Sequence, residues 1–195
     1  MEDPNDIQRR LFDFAEELGH GKFAKVIRAI NKEYKDKWSI KIIAKNRNPG
    51  SDRMKNLMRE IDILWRVDHP NILKLDQVID TPKRLYLVLE MGTKALGTVL
   101  AEKKFFTEDE SRYVMKQLCE AVAYLHNNDI VHKDLSLETV LLVRNPRDFN
   151  DEMYVKLTGF GASVTMSSWD CKYRLPAHIG NSFYSGEKVR LYLYY

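Results

Sequence analysis

The sequence predicts an α+β fold with a sheet-forming first part and a helical second part. Three patterns carry that expectation. Apolar residues cluster in short runs at 38–43, 72–78 and 85–89, with turn residues between the last two, as strands require. The pattern breaks at Glu90-Met91-Gly92-Thr93. Beyond the break, Val114, Leu118, Val122 and Leu125 recur every three to four positions, the repeat of a helix packed on one side.

Each element has a local reason. Residues 1–13 are an N-terminal lead-in that is polar and acidic over Met1–Asp6, and residues 11–18 read as mixed apolar and acidic. Leu18-Gly19-His20-Gly21-Lys22-Phe23-Ala24-Lys25-Val26 places two glycines at alternate positions in a strand context. Such a hairpin can bring backbone close to phosphates, although ordinary hairpins use glycine pairs too. Trp38 to Ile43 reads as a strand holding one cation, Lys41, which must reach solvent or an anion. Asn48-Pro49-Gly50-Ser51 marks a loop. Met54 to Val67 then reads as a helix with Leu57, Ile61 and Leu64 on one face and Glu60 beside it, stopped by His69-Pro70-Asn71. Strands are expected at Ile72–Val78 and Leu85–Leu89, joined through Asp80-Thr81-Pro82-Lys83. Residues 90–95 are a candidate hinge. Thr107 is a good N-cap, followed by Glu108, Asp109 and Glu110 where negative charge meets the helix dipole. That helix should end at Asn127-Asn128. A polar turn from Ile130 to Thr139 then carries His132 and Asp134 ahead of a short apolar strand, Val140–Val143.

Composition excludes several functions. The chain is 44% hydrophobic and 30% charged, an ordinary globular make-up. Its 31 basic and 28 acidic residues are interspersed and leave a net charge of +3, so neither nucleic acid nor an anionic membrane is an expected partner. Cys119 and Cys171 show no metal-type spacing, which suits a reduced, cytoplasmic chain. No apolar signal region follows Met1, and no run approaches the roughly 18 apolar residues of a membrane span. His20, His69, His126 and His178 show no ligand pattern and read as structural or surface residues.

Taken in order, the glycine turn, strand Lys41, helix Glu60, hinge, long helix and His132-x-Asp134 resemble a eukaryotic protein kinase over about residues 14–165. Thr81-Pro82-Lys83-Arg84-Leu85-Tyr86-Leu87-Val88-Leu89-Glu90 and Ala123-Tyr124-Leu125-His126-Asn127-Asn128-Asp129-Ile130-Val131-His132 resemble the calcium/calmodulin-dependent group in particular. Leu137, where most members carry proline, and the long stretch through Asn145-Pro146-Arg147-Asp148-Phe149-Asn150 point the same way. The resemblance implies a protein-kinase-like fold: a β-rich N-lobe over 14–90, a partial, helical C-lobe over 91–165, and an atypical tail over 166–195. It implies ATP as cofactor in a cleft. Asp134 would be the catalytic base, with Lys41 and Glu60 as the phosphate-holding pair. Leu18, Gly19, Gly21, Val26, Ser39, Lys41, Leu89, Glu90, Gly92 and Leu141 would contact nucleotide, with Leu89 as gatekeeper. Leu64, His132 and Phe160 would stack as a spine.

The departures concern charge. The family's metal-binding Asp is Gly159, its second metal ligand, an Asn, is Thr139, and a catalytic-loop Lys is Ser136. No metal ligand is therefore assigned, and magnesium binding is not expected. One preorganised charge-stabilising group is typically worth about 3–4 kcal/mol, roughly a hundred- to a thousand-fold in rate. Lys133 replaces the family's Arg and keeps its charge but not its bidentate fork. Ala162 to Tyr195 shows no A-P-E motif and no amphipathic helices, so the C-lobe is expected to be truncated, leaving an apolar patch exposed on the 107–126 helix. Three functions fit: an impaired, pseudokinase-type serine/threonine kinase domain acting through a protein partner or nucleotide; a serine/threonine kinase with residual phosphotransfer; and a truncated product without a stable fold.

Overall fold

The computed structural model describes residues 11–20, 24–45 and 52–166. They fall into two compact units. The first comprises residues up to Lys55 together with Leu73–Met91, and the second Asn56–Ile72 together with the chain from Gly92 onward.

The first unit is a five-stranded antiparallel sheet in the order β1-β2-β3-β5-β4. Its strands are β1 (Phe12–His20), β2 (Ala24–Asn31), β3 (Lys37–Ala44), β4 (Leu75–Asp80) and β5 (Arg84–Glu90). The alternation of β-branched and aromatic residues sets the register, because a slip of one residue would invert every side chain. Ile27 opposes Ile40, which opposes Val88, and Ile42 opposes Tyr86. These residues join Phe12 and Ala29 in the buried core of one face, with Trp38 and Ile79 packed against it. The tight turn before β5 is closed by Thr81. Its Oγ1 donates to Arg84 O at 2.7 Å and accepts from Arg84 N at 3.1 Å.

The second unit contains α1 (Asp52–Arg66, which begins in the first unit), α2 (Leu96–Lys103) and α3 (Glu108–Asn127). Short strands β6 (Lys94–Ala95), β8 (Val140–Leu142) and β9 (Val155–Leu157) form one sheet, and β7 (Ile130–Val131) pairs with β10 (Val164–Thr165). The N-terminus of α3 is a complete capping box: Thr107 Oγ1 accepts from Glu110 N, and the Glu110 carboxylate accepts in turn from Thr107 N. No described helix is long and apolar enough to cross a membrane.

Three expectations are corrected. β4 begins at Leu75, not Ile72; Ile72 instead forms an isolated parallel bridge with Leu157 in the second unit. In α1 the fully buried residue is Ile63, whereas Ile61 is half-buried. The inner face of α3 is Val114, Gln117, Ala121 and Leu125. Leu118 and Val122 lie beside that face and line an apolar groove of about 750 Å³ together with Leu96, Leu100, Leu137 and Val140. The expected apolar surface on this helix is therefore present among the described residues. The loop at 48–51, Gly21, Cys171, His178 and the tail from 167 onward lie outside them.

Candidate active site

The sheet unit gathers four of the expected site residues on one face. Val26 opposes Lys41, which opposes Leu87, and Arg28 opposes Ser39, which opposes Leu89. Directly opposed residues of an antiparallel pair share a face, and so do alternate residues of one strand. Val26, Ser39, Lys41 and Leu89 therefore all lie on the face opposite the Ile40–Val88 core. Lys41 is half-buried, whereas Ser39 is 6% exposed and donates from Oγ to the Met91 sulfur at 3.4 Å. Gly19 opposes Val26 across an irregular stretch of β1, where the register shifts on both sides of Glu17. A Cβ added at Gly19 would meet nothing within 4 Å among the described residues. Leu18 beside it is exposed, and Glu90 ends β5 with its N–H donating to Lys74 O.

In the helical unit the catalytic-type loop is built around His132, which is 3% exposed. Its Nε2 lies 2.9 Å from Thr158 O and its Nδ1 3.3 Å from Asp134 N. A carbonyl needs a donor and an N–H needs an acceptor, so the ring sits as the neutral tautomer protonated on Nε2. The backbone around it is pinned as well: Ser163 Oγ donates to His132 O at 3.0 Å. Burial lowers the His132 pKa below 6.5, opposed by its bond to the Thr158 carbonyl, and burial likewise lowers that of His69. The unfolded chain takes up a proton near pH 6.5 that folded His132 resists. Stability is thus complete above that pH and declines as pH falls through it, by up to about 1.4 kcal/mol per pH unit. Melting midpoints should fall between about pH 7.5 and about pH 5, and His132→Gln should flatten that slope. A pH-independent wild-type midpoint would contradict this.

Lys133 follows with φ of 65°, a left-handed conformation that strains a residue with a side chain. Asp134 is half-buried. Burial raises its pKa above the ordinary carboxylate value, and the charge of Glu138 adds to the shift. The next turn is closed by two residues that depart from the family pattern. Ser136 N donates to Thr139 Oγ1 at 3.0 Å, and Thr139 N lies 3.3 Å from Ser136 Oγ. The Thr139 hydroxyl proton goes to Asp134 O at 2.8 Å, with Ser136 O at 3.1 Å as an alternative acceptor.

The third departure adjoins them. Gly159 has φ of 84°, and a Cβ built on it would lie 2.5 Å from Thr139 Cγ2. These are the two positions at which the resemblance implies cation ligands. The residues present do not fit a metal: one hydroxyl is committed to the loop backbone, and the other position has neither a side chain nor room for one.

The same unit assembles other expected residues. Gly92 is buried against Leu141; a Cβ there would lie 2.6 Å from Leu141 Cδ1, so this approach requires glycine. Thr93 behind it is fastened to β8, its N–H and Oγ1 both donating to Leu142 O at 2.8 and 2.9 Å. Leu64, His132 and Phe160 are all buried, and the His132 and Phe160 rings meet edge-to-face at 4.9 Å. Glu60 is 7% exposed in α1, and its Oε2 lies 3.7 Å from where a Gly161 Cβ would stand.

Sequence reasoning missed three polar residues that hold this site. Ser163 anchors His132, and Asn71 and Gln117 tie the end of α1 and the middle of α3 to β9. A polar residue at the helical spacing of a buried stripe, as Gln117 is to Val114 and Ala121, was the available signal.

Comparison with known proteins accounts for this arrangement. The protein kinase domain family matches residues 12–188. Serine/threonine-protein kinase 33 of Bos taurus is 43% identical over 159 residues, covering 80% of this chain and 32% of that protein. Its Mus musculus counterpart is 38% identical over 192 residues, covering 97% of this chain and 39% of that protein. Myosin light chain kinase A of Dictyostelium discoideum is 39% identical over 155 residues, 79% of this chain and 51% of that protein. The chain thus spans about a third to a half of the length of these relatives. The order of strands, the His132-x-Asp134 loop and the family match agree: the chain belongs to the protein kinase family, with relatives among the serine/threonine kinases.

Proposed function

We propose that this chain carries a catalytically impaired serine/threonine protein-kinase domain that accepts nucleotide weakly and acts by binding, to a protein partner or to the nucleotide itself. The observation that carries this reading is the use of Thr139: its hydroxyl is spent on Asp134 O within the loop, beside a glycine at the other metal position. Kinases use ATP with magnesium, and phosphoryl transfer depends on positioning and charge neutralisation more than on covalent chemistry. Without either metal ligand, a base at Asp134 has no neutralised phosphate to work on.

The surviving parts suit binding. Half-buried Val26 and Lys41 share one face of the sheet with buried Ser39 and Leu89, an apolar setting for a base beside a cation for phosphate. Gly92 and Leu141 supply a flat apolar contact of the same kind. A second reading, residual phosphotransfer, draws on Asp134, whose raised pKa is in the direction useful for a general base.

Thermal melting with ATP tests the binding reading. At an ATP concentration about ten times Kd the expected stabilisation is about 1.4 kcal/mol, a rise of roughly 3–6 °C, and it should be the same with and without magnesium. A shift several-fold larger with magnesium would contradict the reading.

A further inference from the structure

Thr139 and Gly159 are held against each other from both sides. Thr158 N donates to Thr139 O at 2.8 Å, which ties the strand before Gly159 to Thr139 by its backbone. The Thr139 side chain is fixed independently. Its Oγ1 receives Ser136 N and donates to Asp134 O. With Oγ1 placed, the χ1 rotamer of a β-branched residue is placed too, and Cγ2 is left directed at Gly159. The left-handed backbone at Gly159 strains any side chain, but least an acidic one, since Asp and Asn enter that region more readily than other residues with side chains. The nearest obstacle is the Thr139 methyl group, 2.5 Å from the position of a Cβ, with Thr139 Cβ behind it at 3.1 Å.

We propose that Thr139 and Gly159 form an interlocked pair that closes the cation position, so that this domain takes metal-free nucleotide and cannot regain a cation by a change at Gly159 alone. This rests on the nucleotide reading above for its ligand, but not for its packing. The loss of metal is therefore a steric state requiring two changes to reverse, and the substitution at each position protects the other. Ser136 belongs to the same arrangement through its exchange of hydrogen bonds with Thr139.

Three variants test it: Gly159→Asp, Thr139→Ser and the double. Thr139→Ser keeps the hydroxyl and removes the methyl group. Gly159→Asp in the wild-type background should lower the melting midpoint by roughly 4–8 °C, because overfilling a packed position strains its neighbours. In the Thr139→Ser background the same change should cost less than half as much. Equal costs in the two backgrounds would overturn the interlock. If Gly159→Asp yields no folded protein, a folded double variant supports the proposal and an unfolded one overturns it. In the ligand arm, the double variant should be stabilised several degrees more by ATP with magnesium chloride than by ATP alone, and Gly159→Asp should not. A full magnesium-dependent gain in Gly159→Asp alone would overturn the proposal. The absence of any ATP effect in every variant would sink the nucleotide reading instead, while the melting comparison still decides the interlock.

Discussion

Phe160→Ala is expected to cost about 3–5 kcal/mol of folding stability, a fall in melting midpoint of roughly 10–15 °C. Phe160 is 1% exposed and begins the single turn Phe160–Ala162 immediately after Gly159. Its ring meets His132 edge-to-face at 4.9 Å with an interplanar angle of 72°, a geometry worth about 0.5–1.5 kcal/mol beyond the buried area. The cost should sit in the upper part of the usual range because the walls of the resulting cavity cannot close. His132 is held through Nε2 to Thr158 O and through its own carbonyl to Ser163 Oγ, and Ser163 N in turn donates to Phe160 O. Collapse onto the space left by the ring would break those bonds. Denaturant titration measures the effect, and a loss below about 1 kcal/mol would show that the site relaxes.

Gln117→Ala should cost about 2–4 kcal/mol. The amide of Gln117 is 5% exposed and uses its full bonding capacity. Its Oε1 accepts from Asn71 Nδ2 and from Val155 N, both at 3.0 Å, and its Nε2 donates to Met153 O at 3.0 Å and to Tyr113 O at 3.3 Å. Asn71 Nδ2 also donates to Val155 O at 2.9 Å, so helix, loop and strand share one network. Removing the amide leaves Val155 N and Met153 O without these partners in a buried place. Gln117→Leu separates this from simple loss of volume: it fills the space but restores no hydrogen bond, and should be no more stable than Gln117→Ala. A leucine variant near wild-type stability would show that volume, not bonding, sets the role of this residue.

Much of the fold was legible, and the exceptions share a cause. The ends of α3 could be read because Thr107 and Glu110 are local signals and cap the helix as their spacing requires. Its buried face is legible at both ends, Val114 and Leu125, but not between them. The apolar repeat passes through Leu118 and Val122, while the packed side passes through Gln117 and Ala121. A buried glutamine is justified mainly by partners far along the chain, Asn71, Met153 and Val155, which no local pattern announces. The same holds for Ile72, whose β-prone neighbourhood suggested the strand it precedes. Its bridge partner is Leu157, and Asn71 O beside it accepts from Leu157 N.

The candidate site shows the same division. His132, Asp134, Thr139 and Gly159 are legible from the order of motifs, and Ser39 only through the resemblance to the family. What could not be read is how the departures fit together. A threonine and a serine three residues apart are ordinary, and a glycine twenty positions later carries no sign of the methyl group above it. Only the register of the loop against β9 brings them into contact, through Thr158 N on Thr139 O. The departures that appeared as three separate losses are one packed cluster.

Phosphotransfer from labelled ATP is the direct test of catalytic impairment. The wild-type chain and Asp134→Asn are to be compared on a generic protein substrate, in magnesium and in manganese. The expected result is no incorporation by the wild type above that of Asp134→Asn with either metal. Metal-dependent incorporation by the wild type that disappears in Asp134→Asn would contradict it.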